Sequence, residues 1–289
     1  MGKIEMSKSA VETYVDGLRV DDAKLRTLCR RLLRRYRVPV VAFYANPKFS
    51  HVHTPDVPAH PPLDSLTRDM QYIMQTLSPV DVSVQACGDM SSMISTVRTL
   101  NPKVLIFSGH GFRDGLIFER RDRWAQVVSA EALAPALAHP SLEVVVLLAC
   151  ETHRLVHALP DLFTTKATIC FDTVAEDGPL STYSEKIYEE LADQLERGDG
   201  IDAMALLLSG IEEFKTGNPM WQLKGPQKKR YDINGPLEQK RRKHRRPSFQ
   251  GTPALYHNGL RYDVFRKTWG PVRHHSTGKQ WDVQKRAWL

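Results

Sequence analysis

Runs of apolar residues recur along this chain, and each one ends abruptly in polar residues or glycine. "VPVVAFYANP", "KVLIFSGHG", "EVVVLLACET" and "ATICFDT" are short, rich in β-branched residues and apolar at successive positions. Such runs fit strands buried on both faces, as in a parallel sheet covered by helices. "VDVSVQA" alternates instead, which predicts a strand with one covered face. Between these runs Leu63, Leu66, Met70, Ile73, Met74 and Leu77 recur at helical spacing, as do Met93, Ile94, Val97 and Leu100. "GLIFE" and "WAQVV" predict a small hairpin, and Ser129 stands where it can cap the helix "AEALAPAL". Two amphipathic helices are expected over 181–196 and 202–215, and one or two more over 7–37, ahead of the first strand. The alternation of strand and helix predicts an α/β fold, a mostly parallel central sheet with helices on both faces.

The pattern dissolves from residue 217. "KGPQKKRYDINGPLEQKRRKHRRPSFQGTP" is charged and nearly free of aliphatic residues, and reads as a linker. Aromatic residues return afterwards, with Tyr256, Tyr262, Phe265, Trp269, Trp281 and Trp288. The expected organisation is a basic helical segment (1–37), the α/β domain (38–216), a basic linker (217–252) and an aromatic, basic C-terminal segment (253–289). Charge supports the boundary. Residues 217–289 carry 17 Lys and Arg against 4 Asp and Glu, a net +13, whereas residues 1–216 carry 23 against 29, a net −6.

Several classes of function lose ground on composition. No apolar run approaches the roughly 18 residues of a membrane span. "MGKIEMSKSA" lacks the apolar core of a secretory leader, and Met6 breaks the myristoylation pattern. A cytoplasmic or nuclear protein without a membrane partner is expected. The four cysteines, Cys29, Cys87, Cys150 and Cys170, form neither a disulfide framework nor a zinc motif. His51, His53 and His60 lie in a proline-rich loop without carboxylate or cysteine partners. His153 and His157 have a zinc-compatible i, i+4 spacing but lack a third ligand, and read as a partly exposed helix face. No metal or cofactor is therefore expected, and the absence of a glycine-rich phosphate loop weakens a flavodoxin-like nucleotide binder.

The chemistry concentrates at two strand ends. In open α/β sheets, reactive groups sit at the carboxyl ends of the strands. Two strands joined by one crossover helix are usually neighbours. His110, at the end of "KVLIFSGHG", and Cys150, at the end of "EVVVLLACET", would then share one edge. Either residue alone has a plainer reading, Gly-His-Gly as a turn and a strand-end cysteine as buried filler. Together they fit an activated nucleophile, since an imidazolium lowers the pKa of a neighbouring thiol. Gly111 would let its N–H approach a substrate carbonyl, forming an oxyanion hole with the N–H of Cys150.

A strand ending in "HG" followed by one ending in "AC" resembles the caspase-like (clan CD) cysteine peptidases, and within them the CHAT domains related to separase. The matching pieces run in order: "VVAFYANP", "LDSLTRDMQYI", "NPKVLIFSGHG", "GLIFE", "VSAEALAPAL", "VVVLLACET" and "STYSEKIYEELADQL", over roughly 38–216. The resemblance implies a caspase-like three-layer α/β/α sandwich and a cysteine endopeptidase. Cys150 is its nucleophile and His110 the proton donor to the leaving amine, and a defence or cell-death effector role is implied with them. Leu148 stands two residues before the nucleophile, where caspases often have a polar residue lining the S1 pocket, and no tetratricopeptide repeats accompany the domain. By the same resemblance an acidic S1 residue falls at Asp172, with Asp177 and Asp114 as alternatives, and would select Arg or Lys at P1. The plainer reading of Asp172 is a cap on the following turn.

The partners expected are a protein or peptide substrate and a regulatory protein. The run "KRRKHRR" stays open between a solvated linker, a nuclear-import or nucleic-acid patch, a processing segment and a dock for an acidic partner. The rival to the enzyme is a catalytically silent caspase-like scaffold whose basic tail binds a protein partner or nucleic acid.

Overall fold

The computed structural model describes residues 38–47, 63–77, 81–86, 89–112, 115–120, 124–172, 177–198, 200–211, 252–264, 267–274, 277–282 and 284–288. The helices expected over 7–37, His51, His53 and His60, Asp114 and almost all of the basic linker lie outside the described residues.

Five parallel strands form the heart of the sheet: β1 (Val40–Ala45), β2 (Val82–Ala86), β3 (Val104–Phe112), β6 (Val144–Leu148) and β7 (Ala167–Phe171), in the order β2-β1-β3-β6-β7. β1 and β6 are buried along their whole length, as apolar runs without alternation require. β2 is the edge strand and the half-exposed one, matching its alternating sequence.

The helices cover both faces. One hydrophobic cluster takes Val41, Phe43, Leu105, Phe107, Val145 and Leu147 from the sheet and packs them under α2 (Met90–Leu100), α3 (Ala130–Leu137) and α4 (His153–Ala158). The other takes Val40, Ala42, Val104, Ile106, Val144 and Val146 and packs them under α1 (Leu66–Thr76), α6 (Asp177–Arg197) and α7 (Ala203–Ser209). A one-turn helix, α5 (Asp161–Thr164), leads into β7. These are the three layers and the mostly parallel sheet expected from the sequence. β4 (Gly115–Glu119) and β5 (Ala125–Ser129) form the expected hairpin, attached antiparallel to the end of β3.

Local chemistry sets the boundaries. Asn46, after β1, accepts the N–H of Leu63 at 2.9 Å and donates to its carbonyl at 3.0 Å, fastening the start of α1. Asp89 and Asp202 cap α2 and α7 by accepting backbone N–H groups, worth ~1 kcal/mol each. Ser129 takes the N-cap position of α3 but makes no capping bond with its side chain.

The C-terminal segment joins the sheet. β8 (Pro253–His257) pairs antiparallel with β7, β9 (Leu260–Asp263) with β8, and β10 (Thr268–Pro271) with β9. Asn258 and Gly259 both have positive φ, 51° and 74°, the two-residue turn that matches strand twist in a hairpin. Further on, Val272 and Trp281 enter the cluster under α4, and β11 (Trp281–Asp282) pairs with β12 (Ala287–Trp288). The C-terminal segment thus extends the central sheet. No helix among the described residues is long and apolar enough to cross a membrane.

Candidate active site

Ser108 on β3 and Leu148 on β6 are partners in one ladder, so His110 and Cys150 each lie two residues beyond the same rung. Side chains alternate along a strand. His110, still within β3, continues the series Val104, Ile106, Ser108, and Cys150 lies in the turn two residues beyond the series Val144, Val146, Leu148. The apolar members of both series pack on one face. His110 is buried, whereas Cys150 is partly exposed.

The glycines have a packing reason. A Cβ on Gly109 would lie 2.7 Å from the carbonyl oxygen of Ala45. On Gly111 it would lie 2.0 Å from the carbonyl oxygen of Cys150 and 3.3 Å from its nitrogen. The Gly111 backbone therefore rests directly on the Cys150 peptide, an approach closed to any residue with a side chain.

Past β6 the chain makes a tight turn. Glu151 has φ 53°, the left-handed region that non-glycine residues enter at a cost. The buried Thr152 hydroxyl donates to the carbonyl of Ala149 at 3.1 Å and accepts the N–H of Phe171 at 3.0 Å, tying the turn to the end of β7. α4 then begins at His153. Burial pushes the pKa of His153 down, and the charge of Asp172 opposes that shift. Cys170 is wholly buried on β7, and burial, with the Asp172 charge adding to it, holds its thiol well above the usual range. Of the two described cysteines, Cys150 is the partly exposed one.

The three acidic pocket candidates fare differently. Asp172 is buried, and its carboxylate accepts hydrogen bonds from Arg261 of β9, with which it forms an ion pair, and from the Tyr256 hydroxyl at 3.4 Å. Tyr256 packs with Cys170 on the face opposite to that of Val146 and Leu148. Two residues of the C-terminal hairpin thus already hold the Asp172 carboxylate. Asp177 opens α6, its side chain outside the described residues, as is all of Asp114.

His157 is not on an exposed helix face. It is buried among the rings of Tyr256, Trp288 and His274, with centroids 5.6, 5.7 and 6.1 Å away. Among the described residues no group of three or more His, Cys, Asp or Glu is placed to hold a metal ion.

The CHAT-domain family model matches residues 17–168, more than half of the chain. The chain belongs to the CHAT-domain family. Among solved structures, this CHAT protein is similar to a secreted C11 cysteine protease from Bacteroides thetaiotaomicron, solved with an irreversible peptide inhibitor. That likeness has 12% identity and a TM-score of 0.41, covering 63% of this chain and 59% of that one. It is also similar to the Arg-specific cysteine proteinase gingipain R, at 9% identity and a TM-score of 0.42, covering 65% of this chain and 44% of that one. The CHAT protein thus corresponds to about three-fifths of the first structure's length and under half of the second's. Curated proteins give no match.

The CHAT match contains His110, Gly111 and Cys150 and stops inside β7. Asp172, Tyr256 and Arg261 lie beyond it. Reasoning from the sequence missed Thr152, though it stands in the quoted "LLACET", and missed Arg261, which no local signal ties to Asp172.

Proposed function

We propose that this CHAT protein is a cysteine endopeptidase in which Cys150 is the nucleophile and His110 the general acid and base. The thiolate of Cys150 attacks the scissile carbonyl, and the N–H groups of Gly111 and Cys150 donate to the oxyanion that forms. His110 gives its proton to the leaving amine as the C–N bond breaks, which leaves an acyl-enzyme. His110 then takes a proton from water, the hydroxide attacks the thioester carbonyl, and the thiolate leaves with the acid product.

One observation carries the reading. Gly111, beside His110, packs against the Cys150 peptide at the ends of neighbouring parallel strands. That contact brings the histidine strand and the cysteine turn together at the edge where α/β sheets do chemistry.

Asp172 does not enter the pocket in this reading, because Arg261 neutralises it. A preference for Arg or Lys at P1 rests on Asp177 or Asp114 instead. Incubation of the purified chain with a mixture of unstructured peptides tests both parts. Cys150→Ala and His110→Ala should each abolish cleavage, the histidine change by about 10²–10⁴-fold. Cleavage that survives Cys150→Ala, or a wild type that cuts none of the peptides, contradicts the peptidase. A P1 preference unmoved by Asp177→Asn and by Asp114→Asn removes those carboxylates from the pocket.

A further inference from the structure

The turn that carries Cys150 is held from behind by residues far along the chain. Thr152 takes the N–H of Phe171, and the next residue, Asp172, donates its own N–H to the carbonyl of Thr252 at 3.0 Å. The Asp172 side chain is gripped by Arg261 and by Tyr256. Phe171 and Asp172 are therefore successive residues held from two sides. The nucleophile turn holds Phe171 from β6, and the β8–β9 hairpin holds Asp172 from the opposite side. The Asp172 charge also reaches His153, three residues after Cys150.

The side chains of Asp172 and Arg261 are only 11% and 19% exposed. A carboxylate that deep requires a partner, and removing one member leaves the other charge uncompensated in the interior. Without Arg261, Asp172 has to take up a proton, admit water or swing outward. Each of these acts on the residue next to Phe171, whose N–H Thr152 holds. Strand alternation puts the pair on the face of Cys170 and Tyr256, opposite to Val146 and Leu148, and its link to Cys150 runs through the turn.

We propose that Arg261 and Asp172 are a positioning pair for the Cys150 turn, so that the C-terminal hairpin beyond the CHAT match completes the active site. Only the kinetic part of this inference rests on the peptidase reading. The reactivity of the Cys150 thiol reports the same positioning without any substrate.

The test follows alkylation of Cys150 by iodoacetamide, with the site read by peptide mass mapping, as a function of pH in the full-length protein. Wild type is compared with Arg261→Gln, Arg261→Lys, Asp172→Asn, the double variant Asp172→Asn/Arg261→Gln, and Arg286→Gln. The last breaks the exposed Arg286–Asp161 pair of the same C-terminal segment, 3.3 Å long, and serves as the control. Arg261→Gln should move the pH profile of Cys150 alkylation and lower kcat by roughly tenfold to a hundredfold with KM little changed, the scale of an ångström-sized misplacement. Arg261→Lys should restore part of both, and Arg286→Gln should change neither. Should Arg261→Gln fail to fold, the double variant, which buries no unpaired charge, takes its place with the same expectation. A folded Arg261→Gln or double variant with the wild-type alkylation profile overturns the proposal. A shifted profile in a protein that cleaves no peptide supports the positioning pair while ending the peptidase reading.

Discussion

Gly111 and Cys150 are in backbone contact, and a Cβ on the glycine would stand 2.0 Å from the cysteine's carbonyl oxygen. Only main-chain atoms face it there, so neither side can yield by turning a rotamer. Gly111→Ala must push the histidine strand and the cysteine turn apart. Chemical denaturation should show a loss of about 1–3 kcal/mol, typical of overpacking, and activity should fall with it. Gly178→Ala, at a position with open space around it, should be close to neutral in both measurements.

The second described cysteine gives a sharper contrast. Cys170 is wholly buried, and burial followed by the Asp172 charge raises its pKa well above the ordinary range. Its thiol is neutral at working pH, and Cys170→Ala should keep kcat near the wild-type value while lowering stability through the cavity it leaves. A loss of turnover equal to that of Cys150→Ala would contradict the assignment of the nucleophile.

Acid should weaken the fold through His153. Burial lowers its pKa, the Asp172 charge opposing, so the unfolded chain takes up a proton that the folded chain resists. The sign is fixed: stability is full above the ordinary histidine pKa of about 6.5 and is lost as pH falls below it. Thermal melting between pH 7.5 and 5.5 should show a falling Tm. His153→Gln should flatten the fall without removing it, because His139 is shifted in the same direction, by burial first and by Lys166.

Sheet pairing makes a prediction about the tail. β8 is hydrogen-bonded to β7 along Thr168–Tyr256 to Phe171–Pro253, and Val272 and Trp281 lie in the cluster under α4. A site-specific protease sequence inserted between Arg246 and Ser248 should therefore give two fragments that elute together in size exclusion and part only in denaturant. Separation under native conditions would show that the strands do not hold.

Parallel strands buried on both faces leave a continuous apolar run in the sequence, which made β1, β3, β6 and β7 legible together with the two strand ends that carry His110 and Cys150. The C-terminal strands left no such mark. β9 alternates over four positions, β8 is a run of five residues, and its partner β7 lies more than eighty residues earlier in the chain. Asn258-Gly259 is a hairpin signal, but it indicates only that two strands meet, and not which sheet they join. Asp172 was legible as an acid at a strand end. Its occupation by Arg261 was not, because an ion pair between distant residues has no spacing to read. His157 was misread for a related reason, since the rings of Tyr256, His274 and Trp288 that bury it all come from the C-terminal segment.

One measurement bears most directly on the dyad: exposure of the protein to peptidyl acyloxymethyl ketones varied at P1, with the modified residue identified by mass spectrometry. Such probes transfer the peptidyl group to a thiolate only when the peptide is seated as a substrate would be. Attachment at Cys150, lost in His110→Ala and unaffected by Cys170→Ala, is the result expected. Attachment at another cysteine, or none at Cys150 in folded protein with any P1 residue, would contradict the assignment of Cys150 and His110 as a catalytic dyad.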